Sequence, residues 1–204
     1  MKILLTSFDP FNQETINPAR EAVLKILAES KYKDKLVHLP IPTEFKQSKS
    51  LIEEHLSRER YAAILAIGQA GGRFAISPER VAINISDAGI CDNAGYRPVD
   101  EPVISDAPAA YFSTLPLKEM IAAAKAAGIP AALSNSAGTF VCNALMYTIL
   151  HHCAQTNPSC LAGFIHVPYL PEQVIDKAAK ASMSLENISR GLDQMLEVVY
   201  KAIV

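Results

Sequence analysis

Apolar positions along the chain follow two spacings, and their alternation divides the sequence into short strands and longer helices. Continuous apolar runs of strand length occur at KILLTSF (2–8), LVHLPIP (36–42), AAILAIG (62–68) and LAGFIHVPYL (161–170). Each reads as a strand, KILLTSF as one buried on both faces and LVHLPIP as one ended by its prolines. RVAINIS (80–86) reads as a fourth strand in chain order, and PAALSNS (130–136) as a further short one. Between them, AREAVLKILAESKY, FKQSKSLIEEHLSRER, LKEMIAAAKAAG, residues 139–155 and ENISRGLDQMLEVVYKAI carry apolar positions at helical spacing. Asn17-Pro18 is a good helix start, with Asn as cap and Pro in the first turn. Residues 87–108 are irregular, rich in Asp, Gly and Pro, and predict a long excursion over one edge.

Strands separated by helices of this length imply a mainly parallel sheet covered on both faces. The expected fold is therefore a three-layer α/β/α sandwich in a single domain spanning residues 1–204, with no repeat and no linker. Half of the 204 residues are hydrophobic, enough for one large core. A formal charge of -2 with no dense Lys/Arg tract excludes a nucleic-acid surface, and the apolar runs are too short for a membrane span. MKILLTSFDPF has only a short apolar stretch before Asp9-Pro10, which does not fit a signal peptide. Cys91, Cys142, Cys153 and Cys160 form no CxxC pair, so free thiols in a cytoplasmic protein are expected.

Sites in open α/β sheets form outside the carboxyl ends of the strands. This puts Phe8, Phe11, residues 69–73, residues 135–142 and His166 on one rim. GQAGGR (68–73) lacks both the dinucleotide fingerprint and the P-loop ending, leaving a tight turn or a close backbone approach as its roles. In NSAGTFVCNALMY, Cys142 falls in the first turn of a predicted helix. Unpaired N–H groups and the positive dipole end there are expected to lower its thiol pKa and to receive an oxyanion. Cys153 and Cys160 have no such support. His166 is the best-placed base, at the end of a strand, whereas His151, His152, Cys153 and Cys160 fit no common zinc spacing. For the carboxylate that would orient the imidazole, Glu79 competes with Asp87, Asp92, Asp100 and Asp106, and local pattern does not separate them.

Four blocks, SFDPF with INP, GQAGGR with ISPERVAIN, SNSAGTFVCN and GFIHVPYLPEQ, together resemble the type I pyroglutamyl peptidases over nearly the whole chain. The resemblance implies a cysteine exopeptidase that removes N-terminal pyroglutamyl residues from peptides through a thioester, without metal or cofactor, commonly as a homotetramer. It implies Glu79, Cys142 and His166 as the catalytic group. It carries ring binding to Phe8, Phe11, Gln69, Ile90, Phe140 and Val141, with Asn17 and Arg73 as supports. The chain departs from the family pattern at Ser7 and Asn12, where glycines are expected, and at Gly89 and Cys91 within DAGICDN. The alternative is a cysteine amidase or acyltransferase with another small acyl specificity.

Overall fold

The computed structural model describes residues 1–204. The apolar run near the start forms β1 (Ile3–Phe8), buried throughout. Asn17 then caps α1 (Pro18–Glu29), its side chain accepting from the Ala19 N–H at 3.0 Å, and Pro18 opens the first turn. Next come β2 (Leu36–Ile41), α2 (Phe45–Arg58), β3 (Ala63–Gln69), β4 (Ser77–Pro78), β5 (Val81–Ile83) and β6 (Ala110–Phe112). The chain closes with α3 (Leu117–Ala126), α4 (Val141–Thr156), β7 (Leu161–Val167) and α5 (Leu185–Ile203). No helix is long and apolar enough to cross a membrane.

The central sheet has the order β2-β1-β3-β7-β4, parallel except for β4 against β7. Successive residues of a strand face opposite sides, so each inner strand feeds two cores. Ile3 and Leu5 of β1, Leu65 and Ile67 of β3, and Ile165 and Val167 of β7 pack against α1, α3 and α5. Leu4, Ile64, Ala66, Ala162 and Phe164 pack on the other face with α2 and α4. This period decides the site, because it turns His166 and Gly68 toward α4, in step with Phe164 and Ala66. The two are direct neighbours across the β3–β7 ladder.

Two sequence expectations need correction. RVAINIS does not join the central sheet: only Val81–Ile83 is strand, paired with β6 in a separate two-stranded sheet. Asn143 of α4 explains this, because its side chain bonds the Ile83 N–H and the Ile83 and Ile85 carbonyls, each at 2.9 Å. A helix side chain thus satisfies a backbone edge that another strand would otherwise pair. Residues 130–134 form no continuous strand but two isolated bridges, Ile76 with Ala131 and Glu79 with Ser134. The Ala132 and Ser134 N–H groups donate to the Ile76 and Pro78 carbonyls, each at 3.0 Å, but Pro78 between them has no N–H to give the intervening rung. The excursion over residues 87–108 is as irregular as expected. It is pinned by buried Asp92, which accepts from the N–H groups of Phe45, Ala94 and Tyr96.

Candidate active site

Three strand ends and one helix start meet at a cavity of about 250 Å³. Phe8 comes from the end of β1, Gln69 from β3, His166 from β7 and Cys142 from α4. Phe11, Asn17 and Phe140 complete the predicted residues in the lining. Phe140 lies 5.1 Å from Phe11 and 5.2 Å from Phe45, ring centre to ring centre, so the aromatic wall is itself braced. Arg73 stands outside the lining, bonded through Nη1 to Glu79 at 2.7 Å. Ile90 does not reach the cavity: it is 49% exposed on the excursion. Val141 is fully buried in the core under α4, so only its backbone is close to the site.

Of the carboxylates that local pattern left open, Glu79 is the one in contact with His166. It is 0% exposed, and its Oε1 accepts from His166 Nδ1 at 2.6 Å. A carboxylate there only accepts, so Nδ1 carries the proton and Nε2 is left as the base. Burial opposes the Glu79 charge. The bond and charge of His166, the Ser134 hydroxyl and the Arg73 guanidinium outweigh it and hold the pKa below the ordinary value. His166 is also pushed down, by burial first and by Arg73 second, against the pull of Glu79.

Cys142 is the second residue of α4, one position beyond the Phe140 cap and Val141. Phe140 offers no side-chain acceptor, so the first-turn N–H groups have no side-chain cap. The expected low thiol pKa is reversed, however. Burial, then the charge of Glu79, pushes the thiol up to about 12, against the help of Arg73 and the residue's own N–H. The dipole argument was sound in sign but smaller than desolvation.

The GQAGGR loop makes the close backbone approach expected of its glycines, and further residues complete the site. A Cβ on Gly68 would lie 2.6 Å from the Phe164 ring and 3.2 Å from Cys142 Sγ, so the sulfur rests against bare backbone beside His166. At Gly71 a Cβ would come within 2.2 Å of Tyr169, which lines the cavity. The GQAGGR loop is therefore built for close approach of an aromatic ring. Thr43 also lines the cavity, held by Asp9 through its N–H at 2.7 Å and its hydroxyl at 2.6 Å. Glu14 is a carboxylate in the lining, but both oxygens are engaged, Oε1 by Lys177 and Oε2 by Gln173. Asp9 and Tyr169 lie within the SFDPF and GFIHVPYLPEQ blocks but were not singled out there, and Glu14 lies in none of the four blocks.

Thiol, imidazole and buried carboxylate at the strand ends of an α/β/α sandwich are the parts of a cysteine hydrolase. Comparison with known proteins narrows the class. The family model described as pyroglutamyl peptidase matches residues 1–202, and the chain belongs to that family. It is 51% identical over 201 residues to the pyrrolidone-carboxylate peptidase of Staphylococcus haemolyticus, covering 98% of this chain and 94% of the relative. Among solved structures, pyroglutamyl peptidase I of Bacillus amyloliquefaciens superposes with a TM-score of 0.91 at 42% identity, over 98% of this chain and 97% of that one. The pyrrolidone carboxyl peptidase of Thermococcus litoralis gives 0.91 at 33% identity, over 99% and 94%.

Proposed function

We infer that Cys142, His166 and Glu79 carry out the family's reaction in this chain, the removal of N-terminal pyroglutamyl residues from peptides through a thioester. The observation that carries the assignment is the buried 2.6 Å contact of Glu79 with His166, at the wall of the cavity that holds Cys142. His166 Nε2 takes the thiol proton as Sγ attacks the exocyclic carbonyl, so the ion pair arises during attack and does not exist beforehand. Glu79 stabilises the imidazolium formed at that moment. Uncapped N–H groups of the first α4 turn, that of Cys142 among them, receive the oxyanion. The imidazolium then protonates the amine as the C–N bond breaks. Water, deprotonated by His166, attacks the thioester, releases pyroglutamate and restores the thiol.

The lining favours a lactam. Phe8, Phe11 and Phe140 supply apolar walls, and the one carboxylate, Glu14, is already held by Lys177 and Gln173. A substrate with a free α-amine would bring a cation with no open counter-charge, at a cost of roughly several kcal/mol. The test is hydrolysis of a pyroglutamyl amide and of the matching prolyl and glutamyl amides by the wild type and Cys142→Ala. The lactam is cleaved best, and only by the wild type; equal rates for both proteins, or no preference for the lactam, would sink the reading.

A homotetramer working in the cytoplasm completes the proposal. The family resemblance supports the assembly, as do exposed apolar residues such as Phe74, Phe112 and Ile175. Four free cysteines agree with a reducing compartment. Sedimentation of the purified chain and fractionation of cells that express it check the two statements.

A further inference from the structure

The reading of the cavity as a lactam site leaves open how the pocket comes to present a donor to the ring carbonyl. We propose that Gln173, which lies outside the cavity lining, is a positioning residue that fixes the orientation of the Gln69 carboxamide. It thereby makes Gln69 a hydrogen-bond donor to the lactam oxygen. The proposal rests on the function inferred above.

Gln173 ends the short turn Pro171–Gln173 that follows β7 and is only 8% exposed. Four contacts determine which way its amide faces. The Leu170 N–H lies 2.9 Å from one end, and a backbone N–H can only donate, so that end is Oε1. The other end, Nε2, faces Glu14 Oε2 at 3.1 Å, Gln69 Oε1 at 3.0 Å and the Ile16 carbonyl at 3.4 Å. Carboxylate and carbonyl only accept. A flipped Gln173 would set its oxygen against both and its NH₂ against the Leu170 N–H, so one orientation alone satisfies every group.

The assignment then passes to Gln69. Its atom facing Gln173 Nε2 must accept, which makes it Oε1. The remaining Nε2, on a residue that lines the cavity with Cys142 and His166, is the donor that Gln69 brings to the ligand. Lys177 holds Glu14 on its other oxygen and keeps that carboxylate in place as an acceptor. A chain of contacts from the Leu170 backbone to Gln69 therefore sets the polarity of one wall. A lactam carbonyl is the complementary group; a prolyl ring has no carbonyl to offer, and its secondary ammonium would face a donor.

Three variants test this. Gln173→Met keeps the bulk and removes the amide. Gln69→Glu keeps an acceptor for Gln173 but replaces the donor of the pocket with an oxygen, and so leaves the supporting contact intact should Gln173→Met fold poorly. Gln69→Ala supplies the background for a cycle. For a pyroglutamyl amide, Gln173→Met and Gln69→Glu are each expected to raise KM about tenfold, with kcat changed much less. The inhibition constant of 2-pyrrolidone should rise in parallel, while alkylation of Cys142 by iodoacetamide keeps its rate and pH profile. In the Gln69→Ala background, Gln173→Met should add nothing. An unchanged KM in Gln69→Glu, a loss that adds fully to that of Gln69→Ala, or a changed alkylation profile in Gln173→Met would overturn the proposal. A wild type that fails to cleave the pyroglutamyl amide would instead remove the lactam reading itself.

Discussion

The two ends of α4 each hold a thiol beside a histidine and open onto a cavity. At the first turn, Cys142 and His166 share a space of about 250 Å³; at the last, His152, Cys153 and Cys160 border one of about 330 Å³. Cavity size therefore does not distinguish the end proposed as reactive from the other. The partners differ. His166 is clamped by a buried carboxylate at 2.6 Å, whereas His152 has no carboxylate in ion-pair contact. Cys153 and Cys160 are free thiols that perturb each other, lowering the first and raising the second, and no carboxylate-oriented base stands beside them. The helix dipole also favours an anion only at the first turn. Reactivity comes from a base oriented by a third group, and neither a thiol nor a cleft alone supplies it.

The strongest way to break this comparison is to remove thiols at each end. Cys142→Ala should lower kcat/KM by about a thousandfold or more, while Cys153→Ala and Cys160→Ala should stay within about twofold, because surface and core changes away from the site leave the chemistry alone. Assays of the three purified variants decide it. Glu79→Gln comes next, with a loss of kcat of about a hundredfold or more, since the amide can donate to Nδ1 and favour the wrong tautomer. Glu59→Gln, at the border of the other cavity, should have no effect on kcat.

Gly68→Ala should cost less, roughly tenfold in kcat with about 1–3 kcal/mol of stability in denaturant titration. Its Cβ must displace the Phe164 ring and press on Cys142 Sγ. The smallest effect is expected at Arg73. Its charge lowers the pKa of His166, so Arg73→Ala should move the acid limb of the kcat/KM profile to higher pH. An acid limb that stays or moves down would show that Arg73 does not act on the imidazole.

Stability should follow the same groups. Glu79 and His166 have folded pKa values below their ordinary 4.5 and 6.5, so the folded state binds fewer protons than the unfolded state in those windows. Their contribution is present above the unfolded values and is lost as pH falls through the folded ones. Cys142 runs the other way: its contribution is present below its ordinary 9.0 and is lost as pH rises toward about 12. Between these windows the denaturation midpoint should be flat, falling on both sides.

Much of this arrangement was legible in the sequence because it rests on local rules. The uniform runs of β1, β3 and β7 gave buried parallel strands, and Asn17-Pro18 gave a helix start with its cap. Phe8, Gln69, Cys142 and His166 could be placed on one rim from strand ends alone. What escaped depends on contacts between distant segments. Nothing near Glu79 distinguishes it from the aspartates of the excursion until β4 folds back against His166, and family resemblance chose it. Asn143, which replaces a strand at the edge of β5, lies sixty residues away in the chain from the Ile83 N–H it serves. The thiol pKa could not be read at all, because a first-turn position is a local fact and desolvation is not.

The central claim is that the pyroglutamyl group passes through Cys142, activated by a neutral histidine. The most direct measurement is acid quench of the wild type during turnover of a pyroglutamyl ester, followed by peptide mapping of the four cysteines. The account predicts a pyroglutamyl thioester on the peptide containing Cys142 and on no other cysteine, and its loss in His166→Ala. Acylation of Cys91, Cys153 or Cys160, or steady turnover with no acylated Cys142 at any time, would contradict it.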